Sequence, residues 1–128
     1  MNADERIKKA MELRGSGYNC AQTVLMVFTD ATGVDIDMSA NIGAALGAGV
    51  ATGEICGVAN AMAVSEGLIL SNPAPDGKLK AMPAARKLLQ KFSDSCGGCI
   101  TCRDLKGKCG KSCDELIAEG IRILDSSF

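Results

Sequence analysis

Cys20, Cys56 and Cys113 each open a stretch whose apolar residues recur at helical spacing. A chain that folds by packing such stretches together therefore carries three sulfurs to helix N-termini. At that end of a helix, unpaired amide N–H groups and the positive end of the dipole stabilise a thiolate. The chain holds seven cysteines in 128 residues and no histidine. The usual general base, thiol activator and nitrogen ligand are missing, so any site must be built mainly of sulfur.

The helical reading runs the length of the chain. Asn2 and Glu5 have capping-box spacing, and Ile7, Ala10, Met11 and Arg14 follow, which predicts a helix to Leu13 before Gly15 and Gly17. Val24, Leu25, Val27, Phe28 and Ala31 predict one helix from Cys20 to Ala31, ended by Gly33. A third spans Asp37 to Leu46, and a nearly all-apolar, central one spans Cys56 to Leu70. Asn72 to Gly77 is a turn by composition. Leu79, Met82, Leu88, Leu89 and Phe92 mark a further helix that Pro83 must begin or kink, with Met26, Met62 and Met82 read as packing residues. Ser93 to Ser112 reads as a loop with a short turn at Cys102 to Leu105. The last helix runs from Cys113 through Leu116, Ile117, Ile121 and Leu124. The expected fold is all-α: one domain over residues 1–128, a compact bundle of about five to six helices with a cysteine-rich loop before the last.

Charge and composition exclude several classes. A net charge of -1 and few aromatic residues offer neither a phosphate-binding surface nor stacking platforms, so nucleic acid is not an expected partner. Met38 to Pro75 is the least charged stretch, but Glu54, Glu66 and the glycines at 43, 47, 49 and 53 break it short of the roughly 18 to 20 apolar residues of a membrane span. It is read as buried core, without membrane insertion. Gly43, Gly47, Gly49 and Gly53 lack the lysine of a phosphate loop and a preceding strand, so close helix packing is the better reading. The charged N-terminus carries no secretion signal, which points to the cytoplasm, where structural disulfides are disfavoured and metal or thiol chemistry is the default.

Cys96, Cys99 and Cys102 form a C-x2-C-x2-C run, whose spacing lets three sulfurs converge on one metal from a single loop. Cys96 and Cys99 with Cys109 and Cys113 have the makings of a zinc knuckle. No Lys or Arg lies between Arg14 and Lys78, which leaves Cys20 and Cys56 with helix dipoles alone. Arg103, Lys106, Lys108 and Lys111 surround Cys102, Cys109 and Cys113 and can offset clustered thiolates.

The ordered motifs Gly17-Tyr18-Asn19-Cys20-Ala21-Gln22, Gly53-Glu54-Ile55-Cys56-Gly57, Ile100-Thr101-Cys102-Arg103-Asp104-Leu105 and Cys113 at the start of the final helix resemble the C-GCAxxG-C-C family of redox-active proteins. The resemblance covers nearly the whole chain and implies that Cys20, Cys56, Cys102 and Cys113 are the family's characteristic four. Val58 and Ala61 stand where the family pattern has Ala and Gly, and Cys96, Cys99 and Cys109 are additional. The resemblance also implies electron or thiol chemistry near transporters, and a related helical domain is joined to haem domains in split-Soret type cytochromes. The expected partner is a redox protein or a transporter-associated protein, with a homodimer as a further arrangement.

Three functional readings follow. The first is electron transfer through an iron–sulfur cluster held by Cys20, Cys56, Cys102 and Cys113. The second is thiol–disulfide exchange, with Cys20 or Cys56 as attacking thiol and the other as resolving partner. The third is a cysteine-only zinc or copper(I) module that can also draw on Cys96, Cys99 and Cys109.

Overall fold

A computed structural model describes residues 1–128. It is all-helical: α1 Ala3–Gly15, α2 Cys20–Met26, α3 Thr29–Thr32, α4 Ile36–Gly43, α5 Gly57–Leu70, α6 Lys78–Ser95, α7 Cys102–Lys106 and α8 Cys113–Asp125. A wide turn over Gly49–Gly53 precedes α5, and a single 3-10 turn over Pro75–Gly77 precedes α6. No helix is long and apolar enough to cross a membrane.

The central helix is α5, packed against α2, α6 and α8, with α1 closing over α2 and α8. One buried cluster joins Ala10, Val24, Leu25, Val58, Met62, Phe92, Ile117, Ile121 and Leu124 across these five helices, with Phe28 from the α2–α3 junction. Each large apolar side chain so buried contributes about 1.5–3 kcal/mol. Gly120 of α8 faces Val58, Met62 and Phe92, so the two central helices approach at the width of a missing side chain.

Three elements depart from the sequence expectation. The predicted helix from Cys20 to Ala31 breaks after Met26, because the Val27 carbonyl accepts a hydrogen bond from the buried Arg6 guanidinium. That guanidinium also bonds Asp30 and Asp125 and lies 4.2 Å over the Phe28 ring. Burial opposes its charge, but the two carboxylates outweigh burial and raise its pKa. The stretch before α5 is not core: Met38 and Val50 are about half exposed, and Ala48, Val50 and Ala51 adopt left-handed backbone. Helix α4 accordingly starts at Ile36 under an Asp35 cap and stops at Gly43. Pro83 lies inside α6, and Leu79 and Met82 are 69% and 61% exposed, so Met82 is not a packing residue. The first turns of α6 extend beyond the body that buries Leu88 and Phe92.

The expected close helix packing holds at Gly43 and Gly47, whereas Gly49 and Gly53 take left-handed backbone in the turn before α5. A Cβ at Gly43 would meet the Gln22 backbone at 2.9 Å, and one at Gly47 would meet the Asn19 side chain at 2.8 Å. Those contacts bring α4 and the turn after it against the start of α2.

Candidate functional site

Each of four cysteines is held at a helix start by its own local chemistry. The Asn19 side chain accepts the Gln22 N–H at 2.8 Å while the Gln22 side chain accepts the Asn19 N–H at 2.9 Å, a capping box that makes Cys20 the first residue of α2. The Asn19 amide also donates to the carbonyls of Gly43 and Ala44, which ties this cap to α4. Ser112 and Glu115 form the equivalent box, so Cys113 is the first residue of α8. The Ser112 N–H holds the Glu115 carboxyl below its usual range.

Cys56 occupies the cap position of α5, and Cys102 is the first residue of α7 behind the Thr101 cap. These two are stitched together by the backbone. The Cys56 N–H donates to Ile100 O at 2.9 Å and the Cys102 N–H to Glu54 O at 2.7 Å, an isolated antiparallel bridge between Ile55 and Thr101. An Arg103–Glu54 ion pair closes it on the solvent side.

All four cysteines line one cavity of about 260 Å³, together with Arg14, Lys106, Val58 and Leu116. The Cys20 sulfur lies against Gly57, where a Cβ would come within 2.7 Å of it. Burial pushes the Cys56 thiol up to about 11, against amide hydrogen bonds from Ala59 and Val58 that favour the thiolate. Burial likewise raises Cys20, opposed by the amides of Ala48 and Ala21 and by the charge of Arg14. The two thiols are therefore protonated at neutral pH, yet amides already point at each sulfur.

The remaining cysteines stand apart from this cavity. Cys99 and Cys109 form a disulfide, and the Cys109 sulfur packs against Gly97. Cys96 is buried beside Ser95 and borders a separate cavity with Lys111, Glu115, Glu119 and Arg122. The three sulfurs of the C-x2-C-x2-C run thus face three different places, because helical backbone after Thr101 and the left-handed Gly97 and Gly98 turn them apart. No three Cys, Asp or Glu side chains gather closely enough to hold a single metal ion. Cys20, Cys56, Cys102 and Cys113 put four soft donors on one cavity with no histidine nitrogen to compete.

Sequence reasoning missed two contributors. Arg14 lies at the end of α1 and faces the cavity, so Cys20 has a cation as well as a dipole. Ala48 turns its N–H toward Cys20 from a left-handed conformation that no alanine side chain signals in advance. Cys102, expected from the family resemblance among the four and at the start of a short turn, opens α7 behind the Thr101 cap.

A sequence model of the family described as "Putative redox-active protein (C_GCAxxG_C_C)" matches residues 18–127. Among curated proteins and among solved structures, nothing matches the chain. The family match begins two residues before Cys20 and takes in every residue of the cavity except Arg14. The chain belongs to the C-GCAxxG-C-C family of redox-active proteins.

Proposed function

We propose that Cys20, Cys56, Cys102 and Cys113 hold an iron–sulfur cluster and that the protein passes single electrons through it. The observation that carries this reading is the shared cavity of about 260 Å³, entered by four sulfurs from four helix starts. When bound, such a cluster supplies a one-electron couple. The chain's own residues set the conditions. Amides of Ala48 and Ala21 toward Cys20, and of Val58 and Ala59 toward Cys56, stabilise the negative charge that reduction adds. Arg14 and Lys106 act in the same direction, and Val58 and Leu116 present apolar walls to the cavity.

One observation favours a cluster over free-thiol exchange. A free attacking thiol needs a lowered pKa, whereas burial raises both Cys20 and Cys56. Iron, if bound, would hold Cys20 and Cys56 as thiolates, so their raised pKa values do not oppose ligation.

Anaerobic reconstitution with iron and sulfide tests the proposal. The expected product is coloured, with iron and sulfide in fixed ratio to chain and an electron paramagnetic resonance signal in one redox state. Cys56→Ser and Cys102→Ser should each lose most of the iron. Full iron content in both variants, or an iron-free wild type, overturns the assignment.

A thiol–disulfide reading has one observation in its favour, the Cys99–Cys109 disulfide. It puts the exchange at the half-buried Cys109 rather than at Cys20 or Cys56. A metal-free protein that gains and loses two titratable thiols reversibly, and stops doing so in Cys109→Ser, would select that reading.

A further inference from the structure

Helix α6 carries Lys78, Lys80, Arg86, Lys87 and Lys91, all exposed, against one acid, Asp94. The ion pairs of the structure use Arg6, Arg14, Arg103, Arg122 and the N-terminus, and none uses a cation of α6. Since the chain as a whole carries -1, the rest of it is net acidic, and positive charge gathers on this helix and on the segment from Arg103 to Lys111. At its start, Leu79 and Met82 are among the most exposed apolar side chains in the molecule. Leu70, itself 40% exposed, borders the same small cavity as Leu79 and Lys80. Leu79, Met82, Arg86 and Gln90 recur at three- and four-residue spacing and so share one face.

That face leads to the cysteine site. Arg86 and Gln90 line a shallow groove with Ile100, and the Ile100 carbonyl accepts the Cys56 N–H at 2.9 Å. A partner seated on α6 therefore stands one residue from the backbone of a sulfur-bearing position.

We infer that the exposed face of α6 is the docking surface for an acidic electron-transfer protein, which exchanges one electron with the four-cysteine site by way of Ile100 and Cys56. The inference rests on the electron-transfer reading given above. Leu79 and Met82 are the apolar anchors, and Arg86, Lys87 and Lys91 steer and orient the partner. Small apolar anchors beside exposed cations are the anatomy of a transient protein interface. A membrane is the poorer occupant, because Leu79 and Met82, with Leu70 beside them, offer little apolar area to bury in lipid. Nucleic acid is poorer still, with no aromatic side chain on the face. In each encounter the partner is oxidised by one electron and this protein reduced by one, with no bond made or broken.

An acidic two-iron ferredoxin serves as the probe. In its redox-inert gallium form it is titrated into the isotope-labelled chain, and the amides of α6 and Ile100 should shift selectively. In its reduced iron form it is mixed with the reconstituted protein by stopped flow. The second-order rate should fall at least tenfold in the triple variant Arg86→Glu, Lys87→Glu, Lys91→Glu and should fall with salt in the wild type. Reduction by a neutral photoreduced flavin should be unchanged in that variant. Leu79→Ser with Met82→Ser should weaken the complex about tenfold. The gallium titration needs no cluster, so it tests docking even if reconstitution fails. Shifts centred away from α6, a complex indifferent to charge reversal, or tighter binding of α6 to anionic phospholipid vesicles than to the ferredoxin each overturn the inference.

Discussion

The sulfur of Cys20 rests on Gly57, the first residue of the helix capped by Cys56. A Cβ at position 57 would meet that sulfur at 2.7 Å and the Leu46 carbonyl at 2.9 Å. Two cysteines far apart in the chain are thus brought to one cavity through the absence of a side chain. Gly57→Ala should push Cys20 out of place, costing about 1–3 kcal/mol of stability and at least half of the bound iron after reconstitution. Gly67→Ala, in the same helix with open space around it, should instead be neutral or stabilising by up to about 1 kcal/mol. Thermal melts and iron analysis of the pair separate a packing effect at the sulfur from helix propensity.

Arg6 organises the break between α2 and α3. Its removal leaves the Val27 carbonyl and Asp125 without their partner, so Arg6→Ala should cost about 3 kcal/mol by denaturant melt. Arg6→Lys should restore less than half, because one ammonium cannot reproduce the fork of contacts. The hydrogen bond from Arg6 lowers the Asp30 pKa. That contribution is present above the unfolded Asp pKa of about 3.9 and lost as pH falls through the lower folded value. The gap between wild type and Arg6→Ala should narrow on acidification, modestly, since Asp30 is half exposed.

Glu66 is buried on α5, and burial alone raises its pKa. A carboxyl whose folded pKa exceeds its unfolded one is best tolerated at low pH and costs stability as pH rises through the folded value. Glu66→Gln should therefore stabilise the protein at pH 8 by the order of 1 kcal/mol and make little difference at pH 4. Equal effects at the two pH values would show that the carboxylate carries no such penalty.

The Cys99–Cys109 disulfide closes a loop of sequence separation 10 that contains Ile100, Thr101 and Cys102. By chain entropy such a closure is worth about 2.5 kcal/mol. Cys109→Ser, or reduction, should lower stability by up to that amount and speed hydrogen exchange at the Cys56 amide, which donates to Ile100 of this loop, and at the Cys102 amide, which donates from the loop to Glu54. Unchanged exchange at those two amides would show that the bridge stands without the disulfide.

Much of this protein is legible in the residue order. The helical period, the capping box at Asn2 and the placing of Cys20, Cys56 and Cys113 at helix starts are local matters, decided within about four residues. What only the tertiary structure decided is which sulfurs meet. The even spacing of Cys96, Cys99 and Cys102 suggests a shared centre, but the fold sends Cys99 to Cys109 and Cys102 to Cys56, and leaves Cys96 by α8. The break at Val27 and the exposure of Met82 were likewise invisible to periodicity, since one depends on Arg6 reaching across from α1 and the other on where α6 outruns the body beneath it. Helix formation reads neighbours along the chain, whereas the making of a site reads neighbours in space, and those are set by how whole helix faces pack.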